Sequence, residues 1–480
     1  MLLDADVCYR AVRSHDHRFD GHLFVGVVST GVYCRPVCRA RAPRRENCTF
    51  FPSAAAAEGA GYRPCLRCRP ELAPGHVSVD AGRRLASAAA GLIEEGALVD
   101  GGVGALAGRL GVTVGHLRRV FADEFGASPV AYAQTYRLLL AKHLLTDTRL
   151  SVADVAMVSG FGSLRGLNAL FRARYGLRPS DLRRSRRDTD DGSLALVLAY
   201  RPPYAWDPQL EFLAGRAIAG VEEVGDGAYR RAVELTGRSG LVRGWIEVSR
   251  RLADHTLRVV LSADLLGALP QTLARVKRLF DLSCRPEDVS VVLGPLAAEC
   301  PGLRVPGAFD GFEMAVRAVL GQQITVQAAR TLAGRLAQRC GAPLSTPWPG
   351  VARAFPGPKA IAAASAEELG ALGINRRRVQ AMQALAKGVL DGALTLEPGA
   401  DPESQIERLR ALPSIGDWTA QYIAMRALAW PDAFPHADYG VMKALGERSP
   451  SRVLERAEAW RPWRGYATVH LWRSLKGSGG

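Results

Sequence analysis

Two pairs of cysteines near the start of the chain constrain its fold more than any other feature. Cys34 and Cys38 form the first pair, and Cys65 and Cys68 form the second. Arginines crowd both pairs, and a positive field lowers thiol pKa, so the cluster could be a metal site, a reactive nucleophile or both. Two short loops that present four thiolates have the form of a closed tetrahedral zinc site. Because the spacing is paired, we favour one zinc ion per chain over four unrelated buried cysteines.

Composition indicates a partner and a compartment. The 480-residue chain carries a formal net charge of +15, which favours a polyanion such as nucleic acid as its partner. The alternative cause of this positive charge is the arginine-rich composition that is common in high-GC genomes. Nine cysteines without a secretion leader argue for reduced thiols. No stretch approaches the roughly 20 apolar residues of a membrane span. We therefore expect a cytoplasmic, nucleoid-associated bacterial protein with no membrane partner.

A repeat of fifty residues marks the next region. Thr113, Leu117, Phe121, Gly126 and Pro129 each have a counterpart further on, namely Ser163, Leu167, Phe171, Gly176 and Pro179. The apolar spacing is helical, the hydroxyl residues suit N-caps and the glycines suit turns. The repeat predicts two helix-turn-helix units joined by a helix over about 130–145. An all-helical scaffold without DNA contact is the alternative.

Helix-turn-helix units place their second helix in the major groove of DNA. The positions expected to face DNA are Gly115, His116, Arg118 and Arg119 in the first unit, and Arg165, Asn168 and Arg172 in the second. The arrangement, with its tail GFGSLRGLNALFRARYGLRPSDLR, resembles the AraC-type DNA-binding domain. Double-stranded DNA is therefore the expected partner.

The stretches RFDGHLFVGVVSTGVYCRPVCRAR and GYRPCLRCRPE resemble the N-terminal domain of Ada-type alkylation-response proteins, over nearly all of residues 1–74. The resemblance implies that Cys34 takes a methyl group from a DNA methylphosphotriester while it remains a zinc ligand. Methylation would turn a thiolate into a thioether, and the lost negative charge would reduce repulsion from DNA. The resemblance also implies phosphate contacts for Arg41, Arg63 and Arg67, whose alternative role is solvated surface charge.

Most of the remaining chain, about residues 193–475, resembles AlkA-type DNA glycosylases of the helix-hairpin-helix superfamily. The stretches that carry this likeness include HTLRVVLSADL, GFEMAVRAVLGQQITVQAARTLAGRLAQRCG and LPSIGDWTAQYIAMRAL. In LPSIG, Leu412 and Ile415 should pack between two helices while backbone N–H groups at Ile415 and Gly416 face a DNA phosphate. Ser414 replaces a glycine usual in the family, so a turn that needs positive φ would be strained there. The resemblance also implies a monovalent cation at the hairpin.

Asp438, twenty residues after Trp418, falls at the position of the family's catalytic aspartate. A carboxylate there would stabilise an oxocarbenium-like sugar and assist the attack of water. A plain helix N-cap is the alternative role for Asp438, and the two roles can coexist. Trp418 stands where superfamily members that also cut the DNA strand carry a Schiff-base lysine. We therefore expect a monofunctional hydrolase.

A base buried in a duplex must be flipped out before its glycosidic bond can be cut. The resemblance implies electron-rich walls that stack on a cationic alkylpurine: Trp418, Tyr422, Tyr439 and Trp472, with Phe212 from the strand-rich portion. Gln323 falls where a side chain wedges into the gap that the flipped base leaves. Ordinary aromatic core is the alternative for the rings.

These patterns predict a multidomain α+β protein. The expected parts are an Ada-type zinc domain at 1–74, an all-α double helix-turn-helix domain at 77–184, a linker at 185–193, a strand-rich subdomain at 194–306 and a helix-hairpin-helix glycosylase domain at 307–475. The leading function is a methylphosphotriester acceptor and transcriptional activator fused to a glycosylase for alkylated purines such as 3-methyladenine. The alternative is a regulator with an inactive glycosylase fold. We expect a monomer that binds alkylated and promoter DNA and contacts RNA polymerase.

Overall fold

The computed structural model describes residues 4–75, 81–183, 192–237, 240–399 and 401–477. Most of the predicted linker and the predicted start of the helical region lie outside these ranges. Ser193, the last residue of that linker, already begins the first strand of the strand-rich region. Within the described ranges, no helix is both long and apolar enough to span a membrane.

The first region is built on a small four-stranded sheet. Its strand order is β3-β1-β2-β4, with β1 antiparallel to β2 and β3, and with β2 parallel to β4. Two small apolar clusters, one around Val25 and one around Tyr33, form its core. The elements are α1 (Ala5–Arg13), β1 (Phe24–Val27), β2 (Val32–Cys34), β3 (Cys48–Phe51), α2 (Ala54–Gly59) and β4 (Arg63–Pro64).

The second region contains the two predicted helix-turn-helix units. Thr113 and Ser163 cap the second helix of each unit by accepting the backbone N–H of His116 and Gly166. Both of these helices end at a glycine with φ near +64°, where any side chain would be strained. The connecting helix runs slightly longer than predicted. The helices are α3 (Ala81–Glu94), α4 (Ala97–Asp100), α5 (Val103–Arg109), α6 (Val114–Phe125), α7 (Pro129–Asp147), α8 (Val152–Val158) and α9 (Leu164–Tyr175).

The third region is a five-stranded antiparallel sheet with helices around it. Its strand order is β5-β9-β8-β7-β6. The stretch around Phe212, which belongs to this strand-rich region as predicted, forms a helix. The elements are β5 (Ser193–Ala199), α10 (Trp206–Ala214), β6 (Glu222–Gly225), β7 (Ala228–Gly237), β8 (Gly240–Arg251), β9 (Thr256–Ser262), α11 (Leu269–Leu279), α12 (Pro286–Leu293) and α13 (Pro295–Ala298).

The fourth region is helical and surrounds the largest apolar cluster of the described residues. The predicted hairpin joins α19 to α20, and the helix that follows Asp438 is α21. The helices are α14 (Gly311–Leu320), α15 (Val326–Cys340), α16 (Pro358–Ala363), α17 (Ala366–Ala371), α18 (Arg376–Leu390), α19 (Pro402–Arg410), α20 (Asp417–Arg426), α21 (Tyr439–Leu445), α22 (Pro450–Ala457) and α23 (Arg464–Gly477).

The second helix-turn-helix unit and the five-stranded sheet share one apolar core. Leu140 and Phe171 of the helices belong to the same buried cluster as Leu196 and Val259 of the sheet. The buried guanidinium of Arg201 also joins the third region to the first, because it donates to the backbone oxygens of Asp20, Gly75 and Ser283. The regions therefore pack against one another as parts of a single structure.

Glu58 on α2 joins the first region to the second. Its side chain is buried, Oε1 accepts from the hydroxyls of Tyr33 and Tyr175 at 3.1 Å each, and Oε2 accepts from Thr135 at 2.9 Å. Burial raises the pKa of the Glu58 carboxyl to about 7, although the three hydroxyls lower it. This carboxyl is therefore a titratable group within the packed junction.

Candidate metal centre and candidate active site

The four predicted cysteine ligands lie together in the first region. Parallel pairing places Tyr33 of β2 beside Pro64 of β4, so Cys34 and Cys65, the residues that follow them, are brought close. All four Sγ atoms lie within 4.8 Å of one another. Sulfur atoms at the corners of a tetrahedron with Zn–S bonds of about 2.3 Å fit this spacing. A donor set made of thiolates alone suits zinc.

Backbone amides tune the sulfurs unequally. The N–H of Arg35 donates to Sγ of Cys68 at 3.4 Å, and the N–H of Arg67 donates to Sγ of Cys65 at 3.4 Å. The side chain of Arg35 is buried, pairs with Asp20 and donates to the backbone oxygen of Cys68 at 3.2 Å. The sequence analysis missed Arg35, although its place directly after Cys34 could have indicated it.

The arginines predicted to contact phosphates surround this cluster in sequence. Arg41 and Arg67 are exposed, and Arg63 on β4 is half-buried. In the helix-turn-helix region, the predicted DNA-facing residues are exposed on α6 and α9, except that Asn168 is half-buried. The exposed ones are Gly115, His116, Arg118, Arg119, Arg165 and Arg172.

The hairpin between α19 and α20 has the strained turn that its sequence predicts. Ser414 has φ +59°, in the left-handed region that favours glycine. The Ile415 side chain is only 4% exposed and belongs to the core, with Leu412 packed against it, as predicted. The Ile415 N–H donates to the Leu412 oxygen at 3.4 Å, and contact of the Ile415 backbone with a DNA phosphate stays a prediction. Gly416 is exposed at the N-cap of α20.

The loop before α15 is tied to this hairpin. The side-chain amide of Gln322 donates to the backbone oxygen of Ser414 at 2.9 Å and to the hydroxyl of Thr419 at 3.0 Å. Gln323, the predicted wedge, is exposed and has φ +53°. Gln323 is therefore an exposed residue next to Gln322, which is bonded to the hairpin, and its role as a wedge stays a prediction.

Asp438 lies at the start of α21, in a cleft of about 480 Å³. Oδ1 accepts the backbone N–H of Val441 at 3.0 Å and the indole N–H of Trp472 at 2.8 Å. Oδ2 accepts the indole N–H of Trp418 at 3.0 Å. The carboxylate therefore caps α21 and is also held in place by two tryptophans, and its catalytic role stays a prediction.

Aromatic rings form two stacked pairs around the carboxylate. Trp418 stacks on Tyr422 with centroids 5.4 Å apart, and Phe212 stacks on Trp472 at 6.2 Å. The fifth predicted ring is different, since Tyr439 is 80% exposed and lies at the mouth of the cleft. Trp418, Tyr422 and Trp472 therefore line the cleft and Tyr439 lies at its rim, whereas Phe212 lines a neighbouring cavity of about 90 Å³.

Three arginines near the rings were not foreseen from the sequence. Arg317 pairs with Glu222 and Glu313, whereas Arg426 donates to the Tyr422 hydroxyl at 2.7 Å. Arg216 lies over the Phe212 ring, 3.7 Å from its centroid. Arginines in helices that also carry aromatic residues are too common to signal a pocket, so only the packed structure shows the cluster.

The thiolate cluster and the double helix-turn-helix together define a regulatory DNA-binding module. The aromatic cleft, with its fixed aspartate beside a hairpin, defines a base-excision repair fold joined to that module. Family models match each part. The metal-binding domain of Ada matches residues 7–71, a helix-turn-helix domain 106–185, the AlkA N-terminal domain 195–310 and the HhH-GPD superfamily of base excision DNA repair proteins 316–460.

The chain belongs to the family of bifunctional transcriptional activator/DNA repair enzymes of the AlkA type. It is 38% identical over 489 aligned residues to the probable bifunctional transcriptional activator/DNA repair enzyme AlkA of Mycobacterium tuberculosis, covering 98% of this chain and 97% of that protein. DNA-3-methyladenine glycosylase 2 of Escherichia coli is 40% identical over 58% of this chain and 96% of its own length. The bifunctional enzyme Ada of Escherichia coli is 36% identical over 33% of this chain and 43% of its own length.

Proposed function

We propose that the chain excises alkylated purines such as 3-methyladenine from DNA, and that its first region accepts methyl groups from methylphosphotriesters. One observation carries the glycosylase half: the carboxylate of Asp438 is fixed by two indole N–H groups inside an aromatic cleft. A preorganised carboxylate of this kind stabilises developing positive charge more effectively than mobile water does.

The reaction follows from this geometry. An alkylated purine is already positively charged, so the electron pair of the breaking glycosidic bond neutralises the departing base. Positive charge then develops on the sugar, where the Asp438 carboxylate stabilises it, and water adds to the sugar carbon with loss of a proton. Gln323 would fill the gap in the duplex while the base occupies the cleft.

The absence of an amine in the cleft favours a monofunctional hydrolase. Strand cleavage by a Schiff base needs a lysine near the sugar. Trp418 takes the corresponding position and uses its N–H to hold Asp438. Among the described residues that line the cleft, none is a lysine. We therefore propose base release without lyase activity.

For the methyl acceptor, the sulfurs differ in a way that favours Cys34. A hydrogen bond to a zinc-bound thiolate withdraws charge and weakens it as a nucleophile. Backbone amides donate to Cys65 and Cys68, and the backbone of Ala40 also forms a hydrogen bond with Cys38. Within the described ranges, no backbone amide bonds to Cys34. In the transfer, the sulfur lone pair forms the new S–CH₃ bond as the phosphate oxygen leaves with the old pair.

We propose that one zinc ion, held by the four thiolates, supplies charge that keeps them deprotonated at neutral pH. A monovalent cation at the hairpin rests on the family resemblance alone.

The exposed arginines of the first region and of α6 and α9 would bind the backbone and bases of promoter DNA. We further propose that the protein is a monomer, is located with DNA in the cytoplasm and contacts RNA polymerase when it activates transcription.

The decisive experiment replaces Asp438 with asparagine. Asparagine keeps the helix cap but removes the negative charge, so single-turnover release of 3-methyladenine from alkylated duplex should fall roughly a hundredfold or more, with DNA affinity little changed. Asp391→Asn, an exposed aspartate that ends α18, serves as the matched control. Near wild-type excision by Asp438→Asn would leave this residue as a cap. Absence of excision by the wild type would favour the alternative, a regulator with an inactive glycosylase fold.

A further inference from the structure

The short helix α2 of the first region contacts the second helix of both helix-turn-helix units, at equivalent positions of the fifty-residue repeat. These positions are Phe125 and Tyr175, the last residues of α6 and α9. Ser53, the N-cap of α2, bonds to the first of them, and Glu58, near the end of α2, bonds to the second. One helix of six residues therefore touches the same point of both units.

At α6, the contact combines a hydrogen bond with close packing. The Ser53 hydroxyl donates to the backbone oxygen of Phe125 at 2.5 Å, which gives a partner to a carbonyl that the end of a helix leaves unpaired. A Cβ added to Gly126, which ends α6, would lie only 3.1 Å from atoms of Pro52 and Ala56. The start of α2 therefore fits against the end of α6 with little room for a side chain.

At α9, the contact consists of hydrogen bonds to Glu58. The Tyr175 hydroxyl donates to the Glu58 carboxylate at 3.1 Å, and the Arg174 guanidinium donates to the Glu58 backbone oxygen at 3.0 Å. The same carboxylate accepts from Thr135 on α7, the helix that joins the two units. Glu58 and Tyr175 are both buried, so water does not compete for the bond between them.

The second helices of the two units belong to different apolar cores. Leu117 and Phe121 of α6 lie in one buried cluster, whereas Leu167 and Phe171 of α9 lie in the cluster shared with the five-stranded sheet. Helix α7 contributes residues to both clusters. Helix α2 therefore adds a second connection between the units, and this connection is largely polar.

We propose that residues 53–58, the α2 bridge, set the distance between the two helix-turn-helix units and thereby select promoter DNA whose two half-sites have one fixed spacing. Ser53 and Glu58 are positioning residues in this proposal, because they hold α6 and α9 and do not touch DNA. Two linked binding modules gain affinity only when their geometry lets both engage at once. Each added base pair moves a half-site by about 3.4 Å along the duplex and roughly 35° around it, so a rigid pair of units should tolerate few spacings. This inference rests on the proposed binding of promoter DNA by α6 and α9.

The test measures how strongly the full-length protein prefers one spacing. The wild type first selects a bipartite site from a random-sequence duplex library. Affinities are then measured for this site, for the same site with two base pairs inserted between its halves, and for each half alone. We expect the insertion to weaken wild-type binding about tenfold or more. In the double variant Ser53→Ala/Glu58→Ala, the loss should fall to about twofold, with the affinity for each half alone unchanged.

Milder variants separate the bridge from a general loss of stability. Glu58→Gln can keep the hydrogen bonds of the carboxyl, so it should retain the wild-type spacing preference. Tyr175→Phe removes one bond to the bridge and should relax that preference. Tyr132→Phe is the matched control, because the Tyr132 hydroxyl donates to Glu94 on α3, and it should leave the preference unchanged. If the double variant does not fold, Tyr175→Phe decides. A full wild-type insertion penalty in the deciding variant would overturn the inference, because α7 alone would then set the spacing.

A second readout needs no DNA. Spin labels on genetically encoded keto residues at Asp123 and Ala173, exposed and equivalent positions on α6 and α9, report the distance between the two helices by pulsed electron spin resonance. The distribution of distances should be narrow in the wild type and broader in the deciding variant, and an unchanged width would overturn the inference. Selection of a single half-site by the wild type would also overturn it. A broader distribution without enrichment of any DNA sequence would overturn the proposed DNA binding alone.

Discussion

Replacement of Glu58 by glutamine should remove a specific dependence of stability on pH. Burial raises the pKa of this carboxyl from 4.5 to about 7, so the folded protein holds a proton on it that the unfolded chain has already released. The stability that the protonated Glu58 carboxyl contributes is therefore fully present below pH 4.5 and is lost as the pH rises to about 7. A difference of roughly 2.5 pKa units corresponds to about 3 kcal/mol of unfolding free energy.

Glutamine suits this position without ionising. Its carbonyl oxygen can accept from the Tyr33 and Tyr175 hydroxyls, and its amide can donate to the Thr135 hydroxyl, which reproduces the bonding of the protonated acid. Near pH 8, Glu58→Gln should therefore be more stable than the wild type, by at most about 3 kcal/mol. Near pH 4.5 that pH-linked advantage should vanish.

The assay is urea unfolding of the two proteins from pH 5 to pH 8.5, monitored by tryptophan fluorescence and by far-UV circular dichroism. The quantity of interest is the difference in unfolding free energy between the variant and the wild type at each pH, because other titrating groups cancel in it. Glu46→Gln, at an exposed carboxyl of the same region, is the control and should show a flat difference. A flat difference for Glu58→Gln as well would refute the assignment of a raised pKa.

The other predictions concern the thiolate cluster. Metal analysis of protein purified without chelators should find one zinc per chain. Cys65→Ala should lose this zinc, whereas the control Cys340→Ala, outside the cluster, should keep it. Zinc retained by Cys65→Ala would contradict the proposed set of ligands. After incubation with methylphosphotriester DNA, peptide mass spectrometry should find one added methyl on Cys34, and the methylated protein should bind promoter DNA more tightly because one negative charge is gone. A methyl on Cys38 or Cys48 would rule out the assignment.

Features set by short-range rules were predictable from the sequence. The caps Thr113 and Ser163, and the helix-ending glycines that follow them, depend on local backbone geometry and appear as expected. The four thiolates were predictable because their paired spacing has few other uses, and the Ser414 backbone followed from its place in a tight turn.

Features set by packing were not predictable. The stretch that contains Phe212 mixes apolar and polar residues in a way that suits a strand, yet it folds as a helix against the sheet. Arg216 and Arg426 reach the cleft from separate regions, so no spacing along the chain could have joined them. The bonds from two indoles to Asp438 likewise depend on how α20 and α23 pack.

The apolar core shared by α7, α9 and the five-stranded sheet has a consequence for producing the two halves separately. Leucines and aromatic residues of both partners are buried there, so cutting the chain at the segment between them would expose two apolar surfaces to water. Apolar patches of that kind favour aggregation, so each half expressed alone would need polar substitutions on its newly exposed face to stay dispersed.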